Sequence, residues 1–271
     1  MHVRLKAAAV SDIGVHRTVN QDAAFVAPWG AGVADGVGGG PAGDIASAAL
    51  VHRMLVGSRD ALDAAQLVTR VRIANWDLAA QVRRDPALDG MATTFTALWL
   101  STSGGLLLAH TGDSRGYLLR DGRMTRQTRD DSLVQALVDQ GVVQAEDAGS
   151  HPQRNIITAS LRGHAADPVR VVDLPTRVGD RWLLCSDGVS DYVPEPDLAG
   201  LLADGDDPQE TARRIVALAL EAGTRDNVTA VVCDVVEAID EWDERAPYRR
   251  ATFSGAAQAR FNERLTDLES A

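Results

Sequence analysis

From Gly90 to Gly112 the chain carries no Asp, Glu, Lys or Arg, a run long enough in principle to cross a bilayer. It also holds seven Ser/Thr, with Gly104-Gly105 near its middle. β-Branched and aromatic residues on both sides of a Gly-Gly turn describe a hairpin, not a membrane helix. This reading governs the rest, because other short apolar runs follow the same habit. They lie at 31–34, 116–120, 169–173, 181–185 and 228–236 and end in turn signals such as Asp121-Gly122. Helices are expected from Asp44 through Leu55 and over 62–83. A third is opened by Asp207-Pro208-Gln209-Glu210, which reads as a capping box with proline at the first helical position, and stops at Gly223. Strands and helices in irregular order, rich in hairpins, predict an α+β fold with mainly antiparallel sheet. Two such sheets packed together and flanked by helices, a four-layer α-β-β-α sandwich, account for the number of elements.

Charge and composition remove several classes of function. The 271 residues carry a net charge of −11, a poor match to phosphate backbones or anionic lipid; neither nucleic acid nor a membrane is an expected partner. Lys6 is the only lysine and stands in no glycine-rich loop, which leaves a Walker-type nucleotide site, a kinase or a Schiff-base enzyme without its required amine. Cys185 and Cys233 sit singly in apolar runs and read as inert core residues. Met1 to Val10 has no apolar stretch of signal-peptide length, so the expected location is the cytoplasm.

The chemistry gathers where aspartates meet strand ends. Asp35-Gly36 follows Ala31 to Ala34, Gly112-Asp113-Ser114 follows Leu106 to Ala109, and Ser186-Asp187-Gly188 follows Trp182 to Cys185, while Arg225-Asp226-Asn227 immediately precedes Val228. Aspartate is a common turn residue, and any one of these could be structural. Four together, without His or Cys ligands, favour a hard divalent cation over zinc. Arg17, in Ser11-Asp12-Ile13-Gly14-x-x-Arg17-x-x-Asn20-Gln21-Asp22, supplies the planar fork that holds a pair of phosphate oxygens.

In ordered series these segments resemble the metal-dependent serine/threonine protein phosphatases, the PPM or type 2C family, in their bacterial form. The resemblance runs from Ser11 to about Val236 through Arg17/Asn20-Gln21-Asp22, Asp35-Gly36-Val37-Gly38-Gly39, Ala92-Thr93-Thr94 and Thr111-Gly112-Asp113-Ser114-Arg115. It continues in Ser186-Asp187-Gly188-Val189-Ser190-Asp191 and Asp226-Asn227-Val228-Thr229. It implies two Mn2+ or Mg2+ ions, with Asp35 bridging them, the Gly36 carbonyl on one, and Asp187 and Asp226 on the other. Asp113 and Asp191, with Asp187, would form a third metal site. Asp22 would stand behind the ligands and orient water, and Arg17 would hold the substrate phosphate. The implied activity is hydrolysis of phosphoserine and phosphothreonine in proteins by direct attack of a metal-bridging hydroxide, in opposition to a bacterial serine/threonine kinase. The expected state is a monomer. Where eukaryotic relatives carry a histidine two residues after the bridging aspartate, this chain has Val37, and no general acid is assigned. Residues 128–165 resemble the flap over the site in this family. Of the histidines near motifs, His16, His110 and His151, the one inside a strand, His110, reads as a core residue.

Two rivals stand beside this reading. A phosphatase-like fold used as a silent binding module is opposed by the presence of every inferred ligand and of Arg17. Gly38-x-Gly40-x-x-Gly43, with Asp60 and Asp63 about twenty residues on, is formally a dinucleotide fingerprint of an NAD-binding oxidoreductase; against it, a helix and a hairpin follow in place of another β-α unit. The expected organisation is a catalytic domain over 1–238 and a C-terminal extension over 239–271. In that extension Ala257, Phe261, Leu265 and Leu268 would share one side of a helix.

Overall fold

The chain turns back on itself where the paired glycines stand: Gly104 has a φ of 88°, a left-handed conformation that glycine adopts without steric cost. The computed structural model describes residues 3–37, 42–57, 61–238 and 251–258. In chain order these form β1 (Val3–Asp12), β2 (Asp22–Ala27), β3 (Gly30–Val37), α1 (Gly43–Leu55) and α2 (Ala64–Arg84). Then come β4 (Ala92–Thr93), β5 (Phe95–Leu100), β6 (Leu106–Thr111), β7 (Arg115–Arg120), β8 (Arg123–Arg126) and α3 (Leu133–Asp139). The remainder is β9 (Arg170–Leu174), β10 (Arg181–Cys185), α4 (Asp187–Ser190), α5 (Glu195–Ala203), α6 (Pro208–Glu221), β11 (Val228–Glu237) and β12 (Thr252–Gly255).

One sheet has the order β1-β11-β10-β7-β8 and the other β12-β2-β3-β5-β6-β9, with β4 added to β3. Every pairing between these strands is antiparallel. The period-2 alternation of side chains builds the layers. In β10, Trp182 and Leu184 point between the sheets, where they meet Val33, Leu98 and Val231. Leu183 and Cys185 face outward onto Ile215 and Ala219 of α6. On the far side Phe25 and Trp99 pack beneath Leu50, Met54 and Leu78 of α1 and α2. The four-layer α-β-β-α sandwich is therefore present, with an apolar layer at each interface. Cys185 and Cys233 are free, buried and on different layers.

Several elements differ from expectation. Asp207 caps α6 by accepting from the Gln209 N–H at 3.0 Å, but Glu210 turns to Arg213 on the next turn and does not complete a box. The reciprocal capping box forms at α2, where Asp63 accepts from the Gln66 N–H at 2.8 Å and Gln66 accepts from the Asp63 N–H at 2.9 Å. An uncharged glutamine with no cation to court returns to the backbone. β3 is antiparallel to both β2 and β5, which is not the parallel β-α-β unit a dinucleotide fingerprint requires; Gly38 and Gly40 lie outside the described residues. Beyond residue 238, β12 joins the second sheet beside β2. Ala256 and Ala257 are buried after it, and the helix positions Phe261, Leu265 and Leu268 lie outside the described residues. Among the described residues no helix is long and apolar enough to cross a membrane.

Candidate active site

Asp22 opens β2 and stands directly opposite Asp35 near the end of β3. The two-strand register thus places two carboxylates side by side in the second sheet. The first sheet contributes from its facing edge: Asp187 follows β10 at the start of α4, and Asp226 precedes β11. Asp113 lies in the turn between β6 and β7, where Gly112 takes a φ of 103° and a Cβ would meet Thr94 at 2.6 Å. All five aspartates therefore sit at strand ends along one rim of the sandwich; the sequence pattern placed four of them there, Asp35, Asp113, Asp187 and Asp226, and the register of β2 adds Asp22.

Their electrostatics set them apart from ordinary surface acids. Burial, with repulsion from Asp226 adding to it, pushes Asp22 up to about 6, although hydroxyls such as that of Ser186 favour its charged form. Burial and then the charges of Asp130 and Asp191 carry Asp113 up to about 7. Asp35 is held well above the carboxylate range by burial and then by the charges of Asp22 and Asp187, and Asp187 by burial and then by those of Asp113 and Asp226. Asp191 is raised as well, by burial, against the opposing pull of Arg115 and Arg154. Donors are correspondingly scarce. Ser186 donates to Asp22 Oδ2 at 2.7 Å, but Asp22 Oδ1, Asp113 Oδ1 and Asp187 Oδ1 are buried with no hydrogen-bond partner.

Buried carboxylate oxygens that repel one another and lack donors are the donor set a hard divalent cation takes. On that test the residues fit Mn2+ or Mg2+. Among the described residues, no three His, Cys, Asp or Glu side chains already close on a common point. Part of the reason is visible in the ion pairs. Arg17 Nη2 donates to Asp226 Oδ2 at 2.6 Å and its Nε to the Arg225 carbonyl at 3.3 Å. Asp191 lies 3.7 Å from Arg154 Nε and 4.0 Å from Arg115 Nη2. Guanidinium groups thus occupy two of the acids assigned to metal ions. Gly36 has its own steric requirement: a Cβ there would lie 2.4 Å from the Gly43 backbone, so glycine lets the start of α1 close against the strand.

Sequence reasoning gave no role to the residues that hold this rim together. Asn227 is the chief one. Its Nδ2 donates to the Ile13 and Val19 carbonyls at 2.9 and 3.1 Å, and its Oδ1 accepts from the Gln21 N–H at 2.8 Å. The loop carrying Arg17 is thereby sewn to the residue next to Asp226. Gly14 allows the approach, with a φ of 73° and a would-be Cβ 2.4 Å from the Asp226 carbonyl oxygen. Asn20 links the Ser11 hydroxyl, at 2.9 Å, to the Asp22 N–H, at 3.1 Å, and Ser11 in turn meets Thr229 Oγ1 at 2.7 Å. A buried amide beside a strand start was the available signal.

The segment over 128–165, expected to form a flap, leaves and rejoins the body at fixed points. The Asp131 N–H donates to the Gly112 carbonyl at 2.7 Å, and Leu161 exchanges backbone hydrogen bonds with Thr93. Between them, α3 and the Ala145–Ser150 turn wall a cavity of about 290 Å3 whose floor includes Asp113, Asp191, Arg115 and Arg154. Arg115 is fixed there by a two-pronged pair with Asp130. His110 is a core residue, as expected: 4% exposed, with Nε2 donating to the Arg129 carbonyl at 2.9 Å. Among the described residues, neither His16 nor His151 hydrogen-bonds or pairs with an acid of the carboxylate rim.

The chain thus joins a double antiparallel sandwich to a rim of aspartates with an arginine at its edge. The model of the protein phosphatase 2C family matches residues 15–220, and the chain belongs to that family. Among curated proteins it is 45% identical over 238 residues to the serine/threonine protein phosphatase PstP of Mycobacterium tuberculosis, covering 86% of this chain and 45% of that protein. The chain thus spans about half the length of that relative. The serine/threonine phosphatase stp of Listeria innocua is 32% identical over 212 residues, covering 74% of this chain and 82% of stp. Among solved structures, the catalytic domain of PstP in complex with two manganese ions superposes with a TM-score of 0.77 at 40% identity, covering 87% of this chain and all of that one.

Proposed function

We propose that this chain is a Mn2+- or Mg2+-dependent phosphatase that removes phosphate from phosphoserine and phosphothreonine in proteins and so opposes a serine/threonine kinase. The observation that carries the reading is the set of buried, unpartnered carboxylate oxygens on Asp22, Asp113 and Asp187 beside a rim arginine. The activities named for PstP and stp, and the manganese ions of the PstP structure, support it. Asp35, the Gly36 carbonyl, Asp187 and Asp226 would hold two ions, and Asp113 and Asp191, with Asp187, a third. Such ions, when bound, supply an acidified water as nucleophile and offset charge on the phosphoryl oxygens.

The chain's own residues do the rest. Arg17 offers a guanidinium fork to two phosphoryl oxygens once its tie to Asp226 is released. Asp22, anchored through Ser186 and its N–H, keeps one oxygen free to accept a hydrogen bond from water and orient it. No cysteine nucleophile is needed: burial pushes Cys185 up to about 12, where it stays a thiol. Substrate and product would pass beside the flap. We assign the enzyme to the cytoplasm as a monomer, in keeping with two buried cysteines left as free thiols.

The test is hydrolysis of p-nitrophenyl phosphate and a phosphothreonine peptide, with Mn2+ titrated against EDTA, in wild type and Asp226→Ala. Metal-dependent release that disappears in the variant is expected. Release that persists in EDTA, or none at any Mn2+ or Mg2+ concentration from folded protein, would overturn the reading; the second result would favour a binding module.

A further inference from the structure

β12 is the last described strand of the chain: it follows β11, lies like β1 and β11 outside the stretch matched to the family, residues 15–220, and pairs inside the sandwich at its carboxylate rim. It lies antiparallel to β2 in a register that sets Thr252 against Val26 and Gly255 against Ala23. Without it, β2 would be the edge of the second sheet, with one row of backbone groups unpaired, and edge strands are the loosest part of a sheet. β2 is the strand whose first residue is Asp22.

The contact tightens where the chemistry is. Gly255 takes a φ of 65°, and a Cβ there would stand 2.2 Å from the Asp22 carbonyl oxygen and 2.9 Å from the Ser11 hydroxyl. Ser11 is the same hydroxyl that binds Asn20 and Thr229 behind Asp22. One residue earlier, Ser254 donates to the Ala9 carbonyl at 3.2 Å, which ties this edge of the second sheet to β1, the edge of the first. On either side of Gly255 the segment is also fixed to α1. The Phe253 ring lies 4.4 Å from that of His52 on α1, and His52 Nε2 reaches the Ala257 carbonyl at 2.8 Å.

We infer that residues 252–257 form a C-terminal clasp that positions Asp22, with Gly255 as the contact residue, so that the conformation of the metal-binding rim depends on a segment that follows β11 and carries none of the rim's acids. The clasp holds by two separate means: Phe253, Ala256 and Ala257 attach it to α1, and Gly255 and Ser254 set the backbone at Asp22 and Ser11. Changes at the first group loosen the attachment, whereas changes at the second move the carboxylate. The inference rests on the phosphatase reading only for its kinetic arm.

The experiment compares full-length wild type, Gly255→Ala and Phe253→Ala. It measures Mn2+ affinity by calorimetry, kcat and KM on p-nitrophenyl phosphate, and thermal midpoints without metal. Residues that orient a metal site from behind change affinity or activity by about 10–100-fold. Gly255→Ala is therefore expected to weaken Mn2+ binding and lower kcat by about tenfold each, with KM within about twofold. Phe253→Ala is expected to lower Tm while Mn2+ affinity and kcat stay within about twofold of wild type. Should Gly255→Ala not fold, Ser254→Ala, which removes only the tie to Ala9, carries the test with a two- to threefold loss of Mn2+ affinity expected on the order of one lost hydrogen bond. Wild-type Mn2+ affinity and kcat in Gly255→Ala, or in Ser254→Ala where that variant stands in, overturn the clasp; so does equal weakening by Phe253→Ala. A wild type that binds Mn2+ but releases no phosphate overturns the phosphatase reading and leaves the clasp to the affinities; one that binds no Mn2+ overturns both.

Discussion

Asp180 and Asp113 are both buried, at 2% and 8% exposure, yet they are opposites. Burial alone would raise Asp180, but Arg120 donates to it through Nε and Nη2 at 2.7 and 2.6 Å, Thr176 at 3.0 Å and the Arg177 N–H at 2.7 Å. The outcome is a carboxyl held below its usual range. Asp113 has like charges for neighbours and rises to about 7. One acid has been given every donor it can use; the other has been left short of them. A fold tolerates the second kind where something from outside completes it, which is why perturbed acids cluster at functional sites.

The largest test of that contrast is Asp187→Asn. Removing a proposed metal ligand should lower metal-dependent turnover by on the order of 10^3-fold. By relieving repulsion, it should also raise the Tm of the metal-free protein, read by calorimetry in EDTA. A variant that loses stability without metal would erase the distinction between the two acids. Asp180→Ala should behave in reverse. It strands Arg120, itself able to reach solvent, and should cost roughly 2–3 kcal/mol in urea unfolding with kcat unchanged.

The pH dependence separates the acids by sign. Asp22 and Asp113, raised from 3.8 to about 6 and about 7, bind more protons folded than unfolded between those values. The metal-free protein should therefore lose stability as pH rises from about 4 to about 7, since the slope follows protons bound unfolded minus protons bound folded. Asp180, depressed, contributes stability above its unfolded value that is lost as pH falls. Melting in EDTA across pH 4.5–7.5 should show Tm declining, and saturating Mn2+ should reverse the trend. A flat or rising metal-free curve would count against the raised carboxyls. The smallest effect belongs to Arg17→Ala. Its pair with Asp226 has side chains 40% and 31% exposed and is worth no more than about 1 kcal/mol. KM should rise by roughly tenfold while Mn2+ affinity tightens by less than about fivefold, by steady-state kinetics and calorimetry. A loss of Mn2+ affinity larger than the change in KM would move Arg17 from the phosphate to the metal side of the site.

The carboxylate rim was legible because turn chemistry and catalytic chemistry use the same residue: Asp beside Gly ends a strand, and four such endings in order stand out. The supports were not. β1 and β2, Val-Arg-Leu-Lys-Ala-Ala-Ala-Val-Ser-Asp and Asp-Ala-Ala-Phe-Val-Ala, are alanine-rich and only partly alternating, so the preference for strand comes from partners far along the chain. β12 is four residues long and pairs with a strand more than two hundred residues earlier, a contact that no local pattern announces. Asn227 was visible as part of a motif, but its three hydrogen bonds reach back to residues 13–21. At α6 the sequence offered a capping box that Arg213 dismantled by claiming Glu210.

The staple at Asn227 has a consequence for how such a protein can change over generations. By gripping the Ile13 and Val19 carbonyls with one amide, it closes the loop carrying Arg17 into a ring of set circumference, pressed through Gly14 onto Asp226. An insertion or deletion within that ring would misplace Arg17 and strain the neighbouring acid in one stroke, so its length is open to inheritance only alongside a compensating change at Asn227. The segment over 128–165 is tied by its own backbone bonds, such as the Thr158 N–H to the Asp131 carbonyl, and by the pair of Arg154 with Asp191, and among the described residues it shares no hydrogen bond with the Arg17 loop. New substrate preferences have room to arise there, while the ring is passed on at constant size.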